Sequence, residues 1–276
     1  MKIIWDMDGV MIPGRGTTHL ANNYQMAPRY FMQRFLSECG QKENALYNVK
    51  RDELERGFGE WETNYNKGRI KTTGQLAACL TDLQNAMGVF SSSSETTYTK
   101  NALLEGMSMK QVAQTADNMP YNAGLELCVN GFTRRGFVQE LFSNSNGSLV
   151  DAVAKKFGFH YSQGVTPYVT FEGRQESLYS LEHLGNAGVR LTGKMASWGK
   201  TDTVFKHLEA RKTRYDEVVA IDDTQIDMLI ELRARGARVF GFYNPNDPGM
   251  KTEHSERMKS LGIEVLTDLN RFLMAV

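Results

Sequence analysis

Two aspartates, Asp6 and Asp8, stand at the end of the apolar run Ile3-Ile4-Trp5 and are followed at once by Gly9. Carboxylates are costly inside a buried strand, so the strand must end here and present both acids at its carboxyl tip. Two anionic groups so close repel each other unless a cation or a shared proton holds them. The chain carries further polar groups in places that could answer this need. Ser143-Asn144-Ser145-Asn146-Gly147 follows the apolar run "FVQELF", Lys200 opens a helical segment after Gly199, and Asp222, Asp223 and Asp227 follow "EVVAI". Acids, hydroxyls with amides, and an amine are thus each delivered at an expected strand end or helix start. A serine in such a place usually caps the next helix, and a pair of aspartates often does the same, so each group alone signals little.

The elements that must position these groups are readable from hydrophobic period. From 120 onward helical and strand-like stretches alternate. A helix over 122–136, a strand over 137–142 and a helix over 148–159 come first. Apolar segments at 167–173 and 188–194 are expected to pair with each other. A helix over 200–212, a strand at 217–221, a helix at 227–236, a strand at 238–242, a helix at 252–262 and a short strand at 263–266 complete the series. Strands alternating with helices of this length imply a parallel sheet, and in such sheets ligands bind outside the carboxyl ends of the strands. The first strand must join that sheet across a long intervening stretch with helical periodicity, notably over 30–40 and 74–88, and with Ser108 placed as an N-cap. The expected fold class is therefore α/β, a Rossmann-like parallel sheet with an inserted helical cap subdomain. Residues 1–13 and 121–276 form the core and 14–120 the cap.

Composition narrows the possible partners. Lys plus Arg and Asp plus Glu each number 32, so no net charge draws the chain to nucleic acid or an anionic membrane. No apolar run approaches the length of a membrane span, and acids appear before any leader-like core could form. Cys39, Cys79 and Cys128 are widely spaced and have neither a ligand pattern nor a disulfide pattern. A cytoplasmic, reducing setting is expected, with the cysteines simply buried. The sequence is silent on oligomeric state.

The ordered set "DMDGV", "LFSNSNG", "GK" and "DDTQID" resembles the haloacid dehalogenase (HAD) superfamily of phosphohydrolases. The stretch from Leu103 to Asp227 is most similar to its phosphoserine phosphatase branch, through "ALLEGMS", "MPYNAGLELCVNGFTRRG", "VTFEGR" and "LTGK". The resemblance implies the HAD fold and a Mg²⁺-dependent phosphatase acting on a small phosphate monoester. Asp6 would be the nucleophile that forms an aspartyl-phosphate. Asp8 would act as general acid and then base, with its carbonyl on the metal. Asp223 would be the second carboxylate ligand, and Asp222 or Asp227 would bind the metal or orient a bound water. Ser143 and the Asn144 N–H would hold a phosphoryl oxygen, with Ser145 a rival to Ser143, and Lys200 would offset transition-state charge. The branch has an acid where this chain has Arg15 and an arginine where it has Lys100. That points away from phosphoserine and toward an acidic phosphorylated metabolite. A phosphotransferase or mutase of the same superfamily fits the nucleophile motif equally. A non-catalytic phosphate-binding module is the remaining reading, though such a module gains nothing from two repelling acids.

Overall fold

The computed structural model describes residues 1–16, 19–20, 63, 104, 106–171, 174–176, 189–195, 199–247, 250 and 252–276. The helices expected over 30–40 and 74–88 lie outside the described residues, as do Cys39, Cys79 and Lys100.

Six parallel strands make the main sheet. They are β1 (Lys2–Trp5), β2 (Val138–Asn146), β3 (Tyr161–Val165), β7 (Val218–Asp222), β8 (Arg238–Phe242) and β9 (Glu264–Leu266), in the order β3-β2-β1-β7-β8-β9. A smaller antiparallel sheet holds β4 (Pro167–Phe171), β5 (Arg174–Glu176) and β6 (Arg190–Met195) in the order β5-β4-β6. Its central pair joins the two segments expected to associate.

The strand period of two explains the layering, because successive side chains point to opposite faces. On β1, Ile3 and Trp5 face one apolar cluster and Ile4 faces another. The first cluster takes residues from α1 (Met109–Asn118), α2 (Leu125–Arg134), α3 (Gly147–Phe157) and α7 (Leu269–Ala275). The second takes residues from α4 (Lys200–Ala210), α5 (Ile226–Ala234) and α6 (Thr252–Ser260). Trp5 anchors β1 from below, edge-on to Phe132 and Phe272, with its indole N–H donating to Gln139 Oε1 at 3.1 Å. That bond satisfies the single polar atom of a fully buried ring.

Local signals set several boundaries. Ser108 caps α1 as expected. Gln111 N–H donates to Ser108 Oγ, and the Gln111 side chain reaches back to the Ser108 N–H. Although α1 falls within the segment expected to form the cap, its Met109, Val112 and Ala116 enter the sheet's own core. Strand β2 does not stop at Phe142. It continues through the polar tract to Asn146, with a register shift against β3 between Phe142 and Asn146. Strands β3 and β5 and the terminal helix α7, which Asp268 caps through Asn270 N–H, are additional to the sequence reading. Cys128 is buried and unpaired. No helix among the described residues is long and apolar enough to cross a membrane.

One carboxyl joins α3 to β3. Ser162 Oγ donates to Asp151 Oδ1 at 2.6 Å, and burial outweighs that bond and pushes the Asp151 pKa up to about 6. An acid raised on folding contributes stability that is full below its unfolded pKa and is lost as pH rises through the folded one. We expect urea midpoints to show the wild type losing stability relative to Asp151→Asn between pH ~4 and 6, by at most ~1.4 kcal/mol per pH unit, with no further change above that window. A difference that stays level across pH 4–6 would contradict it.

Candidate active site

Register brings the acids together. β1 pairs with β2 on one side and β7 on the other, with Trp5 opposite Leu141 and Ile221. The Asp6 N–H continues the ladder by donating to Ile221 O at 3.1 Å, so Asp6 and Asp222 emerge side by side. From β1 the chain builds outward to β2 and β3, then returns to build β7, β8 and β9 on the other flank. The gap between β1 and β7 is therefore the point where the topology reverses and a crevice opens.

Within that crevice Lys200, at the start of α4, is almost wholly buried. Its Nζ lies 2.5 Å from both Asp6 Oδ1 and Asp222 Oδ2. The far oxygen of Asp222 accepts from Thr224 N–H at 2.9 Å and Gln225 N–H at 2.8 Å, which locks its orientation. Ligand atoms of Asp6, Asp222 and Asp223 all lie within 4.8 Å of one another. Asp223 is buried, yet its Oδ1 has no hydrogen-bond partner among the described residues. A buried acceptor left bare is costly, so this atom is placed for something that binds there. Three hard oxygen donors around one point fit a small divalent cation such as Mg²⁺.

The charge states follow from the crowding. Burial, then Asp222, drives the Asp6 carboxyl well above its usual range against the pull of Lys200. Burial and Asp222 also push Asp223 up to about 7, although Arg15, a hydrogen bond with Asp6 and Lys200 oppose the rise. Burial alone would lower the Lys200 ammonium, but Asp222 and Asp6 more than reverse it and hold it charged.

Asp8 is held differently. Its Oδ1 accepts from Gly16 N–H at 2.9 Å, and Ser145 Oγ lies 2.9 Å from Oδ1 and 2.7 Å from Oδ2. Of the two serines it is Ser145 that touches Asp8, because the continued strand β2 carries it to the carboxylate. Ser143 is fully buried one step below, its Oγ accepting from Ser145 N–H at 3.1 Å. The Asn144 side chain points to solvent.

Asp227 is not brought to the cluster. It sits in the first turn of α5 with a side chain 90% exposed, 3.7 Å from Arg257. That placement corrects its expected role as a ligand, since a carboxylate facing water on the helix exterior cannot reach the crevice. Arg15 stands exposed at the rim. Burial opposes its charge, but Asp8, Asp223, Asp6 and Asp222 outweigh that and raise its pKa. With Asp223, Thr224, Tyr243, Met250 and His254 it lines a cavity of about 180 Å³ beside the cluster.

Sequence reasoning missed the residues that hold the acidic loop. Asp247 Oδ2 accepts from Gly14 N–H at 2.6 Å, and Asn122 Nδ2 donates to Gly9 O at 2.9 Å and Val10 O at 2.8 Å. These contacts join distant parts of the chain, and nothing in local spacing announces them.

No protein-family model matches the chain, and no curated protein does. Solved structures do, across nearly the whole chain. The fold is that of the HAD hydrolases, phosphoserine phosphatases among them. An apo phosphoserine phosphatase aligns with a TM-score of 0.52 at 12% identity, covering 100% of both chains. A substrate-bound phosphoserine phosphatase gives 0.52 at 13%, covering 100% of this chain and 99% of that one. A HAD family hydrolase from Salmonella enterica serovar Typhi gives 0.56 at 13%, covering 96% of this chain and 66% of the other.

Gly9 offers a direct test of the cluster. Its φ is +83°, and a Cβ built there would lie 2.3 Å from Asp223 Oδ2. We expect Gly9→Ala to weaken Mn²⁺ binding at least tenfold by calorimetry and to cost about 1–2 kcal/mol of stability from the left-handed backbone alone. Wild-type affinity in this variant would show that Asp223 does not need its present position.

Proposed function

We propose that this protein is a divalent-cation-dependent phosphatase that hydrolyses a small phosphate monoester through an aspartyl-phosphate on Asp6. The observation that carries this reading is the bare Asp223 Oδ1 set among Asp6 and Asp222, with Lys200 between two of the three acids. Mg²⁺, held by Asp6, Asp223 and the Asp8 carbonyl with Asp222 in support, would neutralise the ester's charge and align it. The likeness of fold supports the reading without fixing the reaction.

The chain's own residues supply the rest. An Asp6 oxygen attacks phosphorus as the ester P–O bond breaks, and the Asp8 carboxyl gives its proton to the leaving oxygen. Asp8 then takes a proton from the water that attacks the aspartyl-phosphate, so phosphate leaves and Asp6 is restored. Ser145 and Gly16 N–H fix the Asp8 carboxyl for both transfers. Ser143 Oγ and the Asn144 N–H hold a phosphoryl oxygen. Lys200, charged and buried, would offset the equatorial oxygens once the two carboxylates it pairs with are otherwise matched. Arg15, with the cavity beside it, suits a substrate carrying a second anionic group.

Hydrolysis of p-nitrophenyl phosphate with Mg²⁺ tests the reaction. We expect Asp6→Asn to abolish turnover and Asp8→Asn to lower kcat by ~10²–10⁴. A wild type no faster than Asp6→Asn on this ester and a phosphometabolite panel would refute the proposal. For the substrate class, Arg15→Ala should lower the ratio of kcat/KM for carboxylated over neutral phosphate esters by about tenfold, with partial recovery in Arg15→Lys. An unchanged ratio removes Arg15 from substrate selection.

A further inference from the structure

We propose that Asn122, braced by Asn244, is a positioning residue that clamps the loop carrying Asp8. The inference rests on the phosphatase reading only for its kinetic part.

The geometry is unusually complete. Asn122 Nδ2 donates both of its hydrogens, to Gly9 O at 2.9 Å and Val10 O at 2.8 Å. The Asn122 backbone N–H donates to the next carbonyl, Met11 O, at 2.8 Å. Three successive carbonyls of the loop after β1 are thus held by one residue. Because carbonyls only accept, the orientation of the amide is fixed: its nitrogen must face the loop and its oxygen must face away. That oxygen is met by Asn244 Nδ2 at 2.9 Å, and Asn244 Oδ1 in turn accepts from Asn246 N–H at 2.9 Å. Asn122 is buried, 8% exposed, so an unmet donor or acceptor here would carry its full desolvation cost.

The placement matters for chemistry. The clamped carbonyls belong to the residues directly after Asp8, in the turn where Gly9 passes tightly over Asp223. The turn's own bonds, Gly9 N–H to Ile12 O and Met11 N–H to Met7 O, close it on itself but do not tie it to the rest of the fold. Ser145 holds the Asp8 carboxylate before the turn and Asp247 holds Gly14 after it, while Asn122 ties the turn itself to the segment before α2, and Asn244 extends that tie to the segment after β8. Without the clamp the turn's own short bonds open more often, and the position of the loop relative to Asp6 and Asp223 rests on the Gly14–Asp247 and Ser145–Asp8 contacts and on apolar packing alone. A shift of about 1 Å in a catalytic group costs on the order of 10²-fold in rate.

Asn122→Asp is the discriminating variant. It keeps the shape and the acceptor for Asn244 but replaces the donor with an oxygen facing two carbonyls. Amide hydrogen exchange and steady-state kinetics are measured together, with Asn122→Ala as the second variant. We expect the Gly9, Met11 and Ile12 amides to exchange at least tenfold faster while Ile3, Ile4 and Val219 stay within about twofold. We expect kcat for p-nitrophenyl phosphate to fall 10- to 100-fold with KM changed less than threefold. Loop amides at wild-type rates, or all amides accelerating together, would overturn the clamp. So would a faster loop with kcat intact. A wild type that hydrolyses nothing would sink the phosphatase reading alone, since exchange still decides whether the clamp exists.

Discussion

Lys200 lies between Asp6 and Asp222, 2.5 Å from each, with Asp223 against them and Asp8 on the next turn of chain. Four buried carboxyl groups therefore crowd one crevice, and two of them, Asp6 and Asp222, share its one buried ammonium. Coulomb repulsion in a poorly hydrated crevice is strong, and the protein answers part of it by raising the pKa of Asp6 and Asp223. The remaining excess of negative charge is what the rest of the site is organised around. It accounts for the raised charge preference of Arg15 beside the cluster, while the close packing of the acids leaves no room for a Cβ at residue 9.

Such a cluster does not stabilise the fold. Buried ion pairs seldom repay their desolvation, and a group left without its partner is worse. Stability has to come from elsewhere, and the two apolar layers on either side of the sheet are where it comes from. Trp5 illustrates the division of labour: it is the residue directly before Asp6, wholly buried, and packed edge-on against Phe132, Phe159 and Phe272. The strand is gripped by aromatic packing immediately beneath the point where it carries charge. A backbone held that firmly allows the acids above it to stay close without spreading the strands apart.

How much of this was legible in the sequence depends on whether a residue's role is set by its own strand or by a distant partner. The acids after β1, Asp222 and Asp223 were legible because an apolar run that ends in charge marks a strand end, and parallel strands align those ends; Lys200 was legible as the first residue of a helix after Gly199. The central pair of the smaller sheet was legible for a similar reason, from two apolar segments. Which of Ser143 and Ser145 meets Asp8 was not. "SNSN" has no hydrophobic pattern, so the apolar run alone ends the strand at Phe142, while β2 continues to Asn146 with a register shift against β3. Asp227 failed in the opposite way. Its spacing from Asp223 suits a ligand, but the helix turns it outward to Arg257. Asn122, Asn244 and Asp247 act through contacts more than a hundred residues apart in sequence, which no local pattern encodes. The helix α7 is too short for periodicity to reveal.

The charge balance also bears on the order of events in the proposed reaction. Lys200 is fully engaged with two carboxylates, and its ammonium cannot serve a phosphoryl group while it alone answers them. A phosphate dianion entering the crevice unaided would face Asp6, Asp222 and Asp223 with little positive charge in return. In the proposed reaction, a dication held by those carboxylates would match their charge and free Lys200's field for the transferring group. Arg15 adds positive charge beside the same acids, whose combined attraction outweighs the desolvation that opposes its own charge. In the proposed reaction, attraction by Arg15 and neutralisation among the buried acids would thus be separate tasks.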